Sequence, residues 1–365
     1  MTGNEAAEAS PAPQDRGPRV QSEPGLRGCP GPLSEHYDAA LLDLDGVVYL
    51  GGSPIQGAAD ALAEAAKRGM KRAYVTNNAS RSPNAIAAQL SAMGVPATAT
   101  DIVTSAQAAA HVLADRLPAG APVLVVGGTG LRLALRERGL RPVTTAADKP
   151  LAVVQGYSPD ISYGLLAEAA VALNAGALYV ASNADATLPT PRGPQPGNGS
   201  LVQVLVTATG REPVIAGKPE PPLHAESVQR VGAKRPLVVG DRLDTDIEGG
   251  VRGGAATLLV LTGVTRPADA LLAGKQCRPS YIAPDLAGLN VSHPEVTAAG
   301  GGTFGCGGWT AEPGGDWLRV SGSGAWIDGL RALCAAAWSA GPPAGSPQEQ
   351  RAAAEDVLRD IGRPA

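Results

Sequence analysis

The sequence predicts an α/β protein: a Rossmann-like parallel-sheet core, an α/β cap inserted into it, and a small module appended at the C-terminus. Three observations carry this prediction. Between Tyr37 and about Leu289, short apolar runs alternate with Ala-rich stretches of helical period, the pattern of parallel sheets covered by helices. The chain has 365 residues, more than a single domain of about 100–200 residues needs. All four tryptophans (Trp309, Trp317, Trp326 and Trp338) fall beyond Leu289, so the composition changes there.

Taken in order, residues 1–36 are rich in Pro, Gly, Ala and Glu and are expected to form a disordered tail. They show no basic start followed by an apolar core and do not read as a signal peptide. The run from Tyr37 to Leu42 is expected to be a buried strand whose tip carries Asp43-Leu44-Asp45-Gly46. A helix over 57–68 stops at Gly69, and Lys71 to Thr76 is the next strand. Ser82-Pro83 opens a helix that stops at Gly94, and another helix covers 105–116. Strands are expected at 123–126, 151–155 and 177–181, with helices at 131–138, 163–175 and 201–209. A helix over 223–231, a strand over 236–239 ending in Gly240-Asp241, and a last core strand over 256–261 follow. The module over 289–340 reads as a Gly-rich loop (300–308), a strand near 316–320 and a helix over 327–338; residues 341–365 are a Pro/Ala-rich tail with room for a short helix.

Composition removes several classes of function. Hydrophobic residues are 44 % of the chain and charged residues 18 %, which excludes a wholly disordered polymer. No run approaches the roughly 18 apolar residues of a spanning helix, so no membrane insertion is expected. A net charge of −4 leaves no basic footprint for nucleic acid. Cys29, Cys277, Cys306 and Cys334 are scattered without a CxxC pair and read as reduced thiols of a cytoplasmic protein. His36, His111, His224 and His293 lack ligand spacing and read as structural or exposed. In Val125-Val126-Gly127-Gly128-Thr129-Gly130, Leu133 stands where a dinucleotide loop needs a small residue, so a tight turn is expected there.

Four segments stand out, three of them at the carboxyl ends of strands, where ligands of parallel sheets bind. They are Asp43-Leu44-Asp45-Gly46-Val47, Val75-Thr76-Asn77-Asn78, Gly217-Lys218-Pro219, and Gly240-Asp241-Arg242-Leu243-Asp244-Thr245-Asp246. Together they supply what phosphoryl transfer from a monoester requires. Asp43 can attack phosphorus and form an aspartyl-phosphate. Asp45 can protonate the leaving alkoxide and then activate water, with a turn at Gly46 bringing both carboxylates to one phosphate. Thr76 and Asn77 can hold phosphate oxygens, and Lys218 can neutralise charge. Asp43, the backbone carbonyl of Asp45, and Asp241 can hold Mg²⁺, which prefers oxygen ligands. Asp246 is expected to support the metal or Lys218.

On these residues the sequence resembles the haloacid dehalogenase superfamily of phosphatases, whose four motifs are matched in order by Asp43 to Val47, Thr76, Lys218, and Gly240-Asp241 with Asp246. Leu42 to Tyr49, Thr76 to Arg81 and Gly240 to Asp246 resemble the class IIA subgroup of nitrophenyl-, sugar- and glycerol-phosphate phosphatases, over about Tyr37 to Leu289. Only 33 positions separate Asp43 from Thr76, but 142 separate Thr76 from Lys218. The inserted cap is therefore expected over 119–213, with core segments 37–118 and 214–288. Such a cap excludes water and selects the leaving group. Gln155 to Asp160, Ser182 to Asp185 and Pro191 to Gly199 are similar to the subgroup's substrate-side loops, which puts Asn183 and Asp185 near the cap–core hinge. The subgroup carries a charge near Tyr157-Ser158, where this chain is neutral.

The resemblance implies a Mg²⁺-dependent hydrolase of a small phosphorylated metabolite. Glycerol 3-phosphate comes first, because the subgroup includes actinobacterial chains that pair this core with a Trp-bearing tail, and 24 Arg against 6 Lys fits such an origin. Phosphoglycolate, pyridoxal phosphate, nitrophenyl phosphate and sugar phosphates are the alternatives. The module also resembles a truncated acetyltransferase fold, without a Gly-rich loop for an acyl-CoA pyrophosphate, and leaves a regulatory or interaction role open. A phosphotransferase and a homo-oligomer remain open as well.

Overall fold

The computed structural model describes residues 25–188, 190 and 192–362. Fifteen strands make its three main sheets. In chain order they are β1 (Ala39–Leu42), β2 (Lys71–Thr76), β3 (Ile102–Thr104), β4 (Pro122–Val126), β5 (Arg141–Val143), β6 (Ala152–Gln155), β7 (Leu178–Ala181) and β8 (Val214–Ile215). They continue with β9 (Pro236–Gly240), β10 (Ala256–Val260), β11 (Tyr281–Ala283), β12 (Thr297–Gly300), β13 (Thr303–Cys306), β14 (Trp309–Gly314) and β15 (Trp317–Gly322).

The core sheet runs β11-β10-β9-β1-β2-β3 and is parallel throughout. β1 lies at its centre, every residue buried, because Ala-Ala-Leu-Leu has apolar side chains for both faces. Leu42, Tyr74, Leu237 and Leu258 pack on one face under the helices Ala58–Lys67 and Pro83–Ala92. Leu41, Val75 and Val238 pack on the other, in a cluster that also holds Val123 and Val154 of the second sheet. The helix Ser105–Ala114 lies in that shared layer, with Ala106, Ala109 and Leu113 buried. The second sheet, β8-β7-β6-β4-β5, is likewise parallel. The third is an antiparallel ribbon, β12-β13-β14-β15, backed by the helix Trp326–Ala340. Among the described residues no helix is long and apolar enough to cross a membrane.

Several expectations need correction. The disordered tail was expected to reach residue 36; residues 1–24 lie outside the described residues, but 25–36 are packed. Leu33 is fully buried, Cys29 pairs with His293 in an isolated bridge, and Ser34 Oγ donates to Asn290 Oδ1 at 3.0 Å. Tertiary contacts order a segment whose local composition favours none. Val214–Ile215 was placed with the core, yet it forms the edge of the cap sheet against β7. The strand over 256–261 is not the core's last, because β11 follows it, and β3 also escaped the reading. Three residues each are too few to show a period. The Gly-rich segment 300–308 is not all loop: β13 sits inside it, pairing Phe304 with Ala311.

Candidate active site

Asp43 sits at the tip of the central strand, where its backbone N–H donates to Val239 O at 2.8 Å. The chain then turns back, with Gly46 N–H donating to Tyr49 O at 2.7 Å. Gly46 has φ +84°, and a Cβ there would lie 2.4 Å from Asp241 Oδ2. The turn therefore requires glycine twice over, for its backbone region and for the approach to the second carboxylate.

Asp241, directly after β9, is 1 % exposed. Its Oδ2 accepts from Val264 N–H at 2.6 Å, while its Oδ1 is buried without a hydrogen-bond partner. Asp246 accepts from Arg242 N–H at 3.1 Å. Lys218 Nζ bridges Asp43 Oδ1 at 2.5 Å and Asp246 Oδ1 at 2.8 Å. Asp43, Asp241 and Asp246 can each present a carboxylate oxygen within 4.8 Å of the others.

The electrostatics follow from that crowding. Burial pushes the Asp43 carboxyl up to about 7; Lys218 opposes the rise, and the Asp246 and Asp241 charges add to it. Burial likewise pushes Asp241 up to about 6, with the Asp246 charge adding. Burial works against the Lys218 ammonium, but Asp246 and Asp43 outweigh it and hold its pKa above the usual range. A hard cation fits this site: it would satisfy the orphaned Asp241 Oδ1 and relieve two carboxylates that burial penalises. Both Asp246 oxygens are already engaged, one by Lys218 and one by Arg242 N–H. Asp45 is exposed, and its carboxylate is not one of the three clustered acids.

Asn77 follows Thr76 at the end of β2 and is the hub of the junction with the cap. Its Oδ1 accepts from Lys218 N–H at 2.8 Å, and its Nδ2 donates to Lys218 O at 3.2 Å. The same Nδ2 reaches the two Asp185 oxygens at 3.4 and 3.3 Å. Its carbonyl accepts from Asn183 Nδ2 at 2.7 Å and Ser105 Oγ at 2.6 Å. The expected hinge residues Asn183 and Asp185 are thus brought to the site. The Asn77 side chain is committed to that junction. Thr76 Oγ1 accepts from Asn78 N–H at 3.1 Å.

Three contributors were missed. Ser105 opens a helix, a position with no chemical signature. Thr262 Oγ1 donates to Gly46 O at 2.5 Å, and Val264 holds Asp241; both lie just past the carboxyl end of β10, a placement that marks a site loop. Where cap meets core, Ser80 of the core and Gly128, Arg132, Ser158 and Asp160 of the cap line a cleft of about 460 Å³. A Cβ on Gly130 would lie 2.4 Å from Ala79 O, so the glycines of that turn let the cap touch the core.

Residues 40–141 match the family model of haloacid dehalogenase-like hydrolases, and 215–289 a second, HAD-hydrolase-like model. Residues 306–362 match a GCN5-related N-acetyltransferase-like domain. The chain is 45 % identical to a D-glycerol 3-phosphate phosphatase of Mycobacterium tuberculosis, over 84 % of this chain and 88 % of that one. It is 37 % identical to an acid sugar phosphatase of Staphylococcus saprophyticus, over 69 % and 96 %. The crystal structure of a glycerol phosphate phosphatase from M. tuberculosis in complex with magnesium superposes with TM-score 0.79 at 43 % identity, covering 90 % of this chain and 99 % of that one. A thermostable NPPase double mutant from Geobacillus stearothermophilus gives 0.63 at 34 %, covering 69 % and 97 %.

Proposed function

The chain belongs to the haloacid dehalogenase-like hydrolases and is a phosphoric monoester hydrolase, and from that premise we propose that it hydrolyses glycerol 3-phosphate through an aspartyl-phosphate on Asp43. The observation that carries the catalytic reading is the bridge of Lys218 Nζ between Asp43 and Asp246, beside the orphaned oxygen of Asp241. The substrate rests on the 45 % identity to the mycobacterial phosphatase, which extends over 84 % of the chain.

Asp43 attacks phosphorus while Asp45 gives its proton to the leaving alkoxide oxygen. Asp45 then takes a proton from the water that attacks the aspartyl-phosphate, releasing phosphate and restoring Asp43. Asp43, the backbone carbonyl of Asp45, and Asp241 are the groups to hold Mg²⁺. When bound, the ion supplies the positive charge that lets a carboxylate approach a phosphate dianion. Lys218 adds a second positive charge beside Asp43 and favours its ionised form against burial. The Thr76 hydroxyl and the Asn77 backbone N–H receive phosphoryl oxygens. The cap residues Asn183 and Asp185 close over this end of the sheet. Four free cysteines support a reducing compartment, and we place the protein in the cytoplasm.

Phosphate release from a monoester panel in Mg²⁺ tests the reading. Glycerol 3-phosphate should lead phosphoglycolate, pyridoxal phosphate and nitrophenyl phosphate, and Asp43→Asn should abolish all release. Glycerol 3-phosphate among the slowest substrates would overturn the substrate, and release surviving in the mutant would overturn the nucleophile.

A further inference from the structure

We propose that the C-terminal module is a positioning device for the metal site, acting through the helix Pro267–Leu271 on the turn that holds Asp241. This rests on the reading of Asp43 and Asp241 as the Mg²⁺ ligands.

The turn 262–265 is fastened to the site at four points. Thr262 Oγ1 donates to Gly46 O at 2.5 Å. Gly263 packs so closely that a Cβ would lie 2.0 Å from Asp241 Oδ2 and 2.8 Å from Gly46 Cα. Val264 N–H donates to Asp241 Oδ2 at 2.6 Å, and Thr265 N–H to Asp241 O at 3.1 Å. The turn is not fixed by burial of its tip, since Val264 is 65 % exposed. Thr265 at its end is buried, and the helix Pro267–Leu271 follows directly.

That helix is seated on the module. Trp338 Nε1 donates to Ala270 O at 2.9 Å. Arg278 lies over the same indole, 5.4 Å from the ring centroid, and donates to Trp338 O at 3.2 Å. Arg351 of the last helix pairs with Asp269 at 3.1 Å. Ala268, Ala270 and Leu271 are buried in one cluster with Leu330, Leu333 and Ala337 of the module. Ile247, next to Asp246, is fully buried in that same cluster. Two elements that carry or hold acids of the site therefore share their hydrophobic support with the module. A ligand set pre-organised in this way binds its ion more tightly than one that must be ordered on binding.

Two tryptophans of the module separate positioning from plain stability. Trp338→Phe removes the N–H that holds Ala270 O and keeps a ring in place. Trp317→Phe makes the same change at a bond to Gly341 O, 2.9 Å long, inside the module. Both lose a tryptophan hydrogen bond, but only the first touches the helix behind Asp241. Mg²⁺ binding is read by calorimetry and by the Mg²⁺-induced rise in melting temperature, both without substrate. One hydrogen bond is worth about fivefold. We expect Mg²⁺ to bind Trp338→Phe about three- to tenfold more weakly, and Trp317→Phe within twofold of wild type. Turnover at saturating Mg²⁺ should stay within about twofold in both. Equal Mg²⁺ affinity in the two variants, whatever their melting temperatures, would overturn the proposal. If Trp338→Phe fails to fold, Arg351→Ala, which cuts the exposed pair to Asp269, must weaken Mg²⁺ by about twofold or the proposal falls. Wild type that binds no Mg²⁺ would refute the ligand assignment itself, and the inference with it.

Discussion

Asn77→Ala separates two accounts of that side chain. If Asn77 serves only a phosphoryl oxygen, its removal lowers turnover and leaves the empty enzyme's stability untouched. The structure argues otherwise. The amide makes two neutral hydrogen bonds to the Lys218 backbone, at 2.8 and 3.2 Å, and reaches the Asp185 carboxylate at 3.3 and 3.4 Å. A neutral bond contributes about 1 kcal/mol and one to a charged group about 1.5–3. Asn77 and Asp185 are both half-buried, so water recovers part of this, and the long contacts to Asp185 count at the low end. We expect Asn77→Ala to lose about 2–3 kcal/mol in urea denaturation without ligand. Turnover should fall as well, because Lys218 loses its backbone anchor and with it the register of Nζ against Asp43. Asn77→Asp tests the same junction by charge. It removes the donor and sets a second carboxylate against Asp185, whose pKa burial already raises while Asn77 opposes. Two crowded carboxylates hold a proton more tightly in the folded state than unfolded, so stability should fall as pH rises above the ordinary carboxylate range. An Asn77→Ala protein within about 0.5 kcal/mol of wild type would refute the hub and return Asn77 to phosphate binding alone.

Other outcomes follow from the same geometry. Gly46→Ala drives a Cβ to 2.4 Å from Asp241 Oδ2 at a φ of +84°; phosphate release should drop by at least about a hundredfold, since misplaced reacting groups cost that much, and release near wild type would refute the tight turn. Mg²⁺ should raise the melting temperature more at pH 8 than at pH 5.5, because Asp43 and Asp241 titrate near 7 and 6 in the metal-free protein and must be ionised to bind; chelator should reverse the rise, and a rise independent of pH would count against these ligands. Burial lowers His293 to about 4, with the Gly288 hydrogen bond opposing and Arg331 adding. Its contribution to stability is present above about 6.5 and lost as pH falls through 4. His293→Gln should flatten acid unfolding by up to about 3 kcal/mol across that window, and an unchanged acid limb would refute it.

How much of this was legible in the chain depends on how local each feature is. Asp43 and Asp241 were readable because each follows an apolar run that ends abruptly, and a strand end in a parallel sheet points to a site. The glycines of 127–130 were expected to make a tight turn; Gly130 instead lies in the helix Thr129–Glu137, and what requires glycine there is the close approach to Ala79 O. What stayed hidden required chain segments far apart to meet. Nothing in Asn77 announces that its amide will grip Lys218 and Asp185, 141 and 108 positions away. Nothing in Cys29-Pro30-Gly31 announces a bridge to His293, and composition pointed the other way.

The hub also bears on why Lys218 needs anchoring at all. It follows β8, and β8 belongs to the cap sheet, so the charge that balances Asp43 is delivered at the end of a strand that is not part of the core. A shift of the cap sheet against β1 would carry Nζ off the nucleophile unless something pinned the lysine backbone to the core. Asn77 does so at both the N–H and the carbonyl of Lys218, and it holds Asp185 of the cap with the same amide. Cap and counter-charge are therefore registered by one core residue.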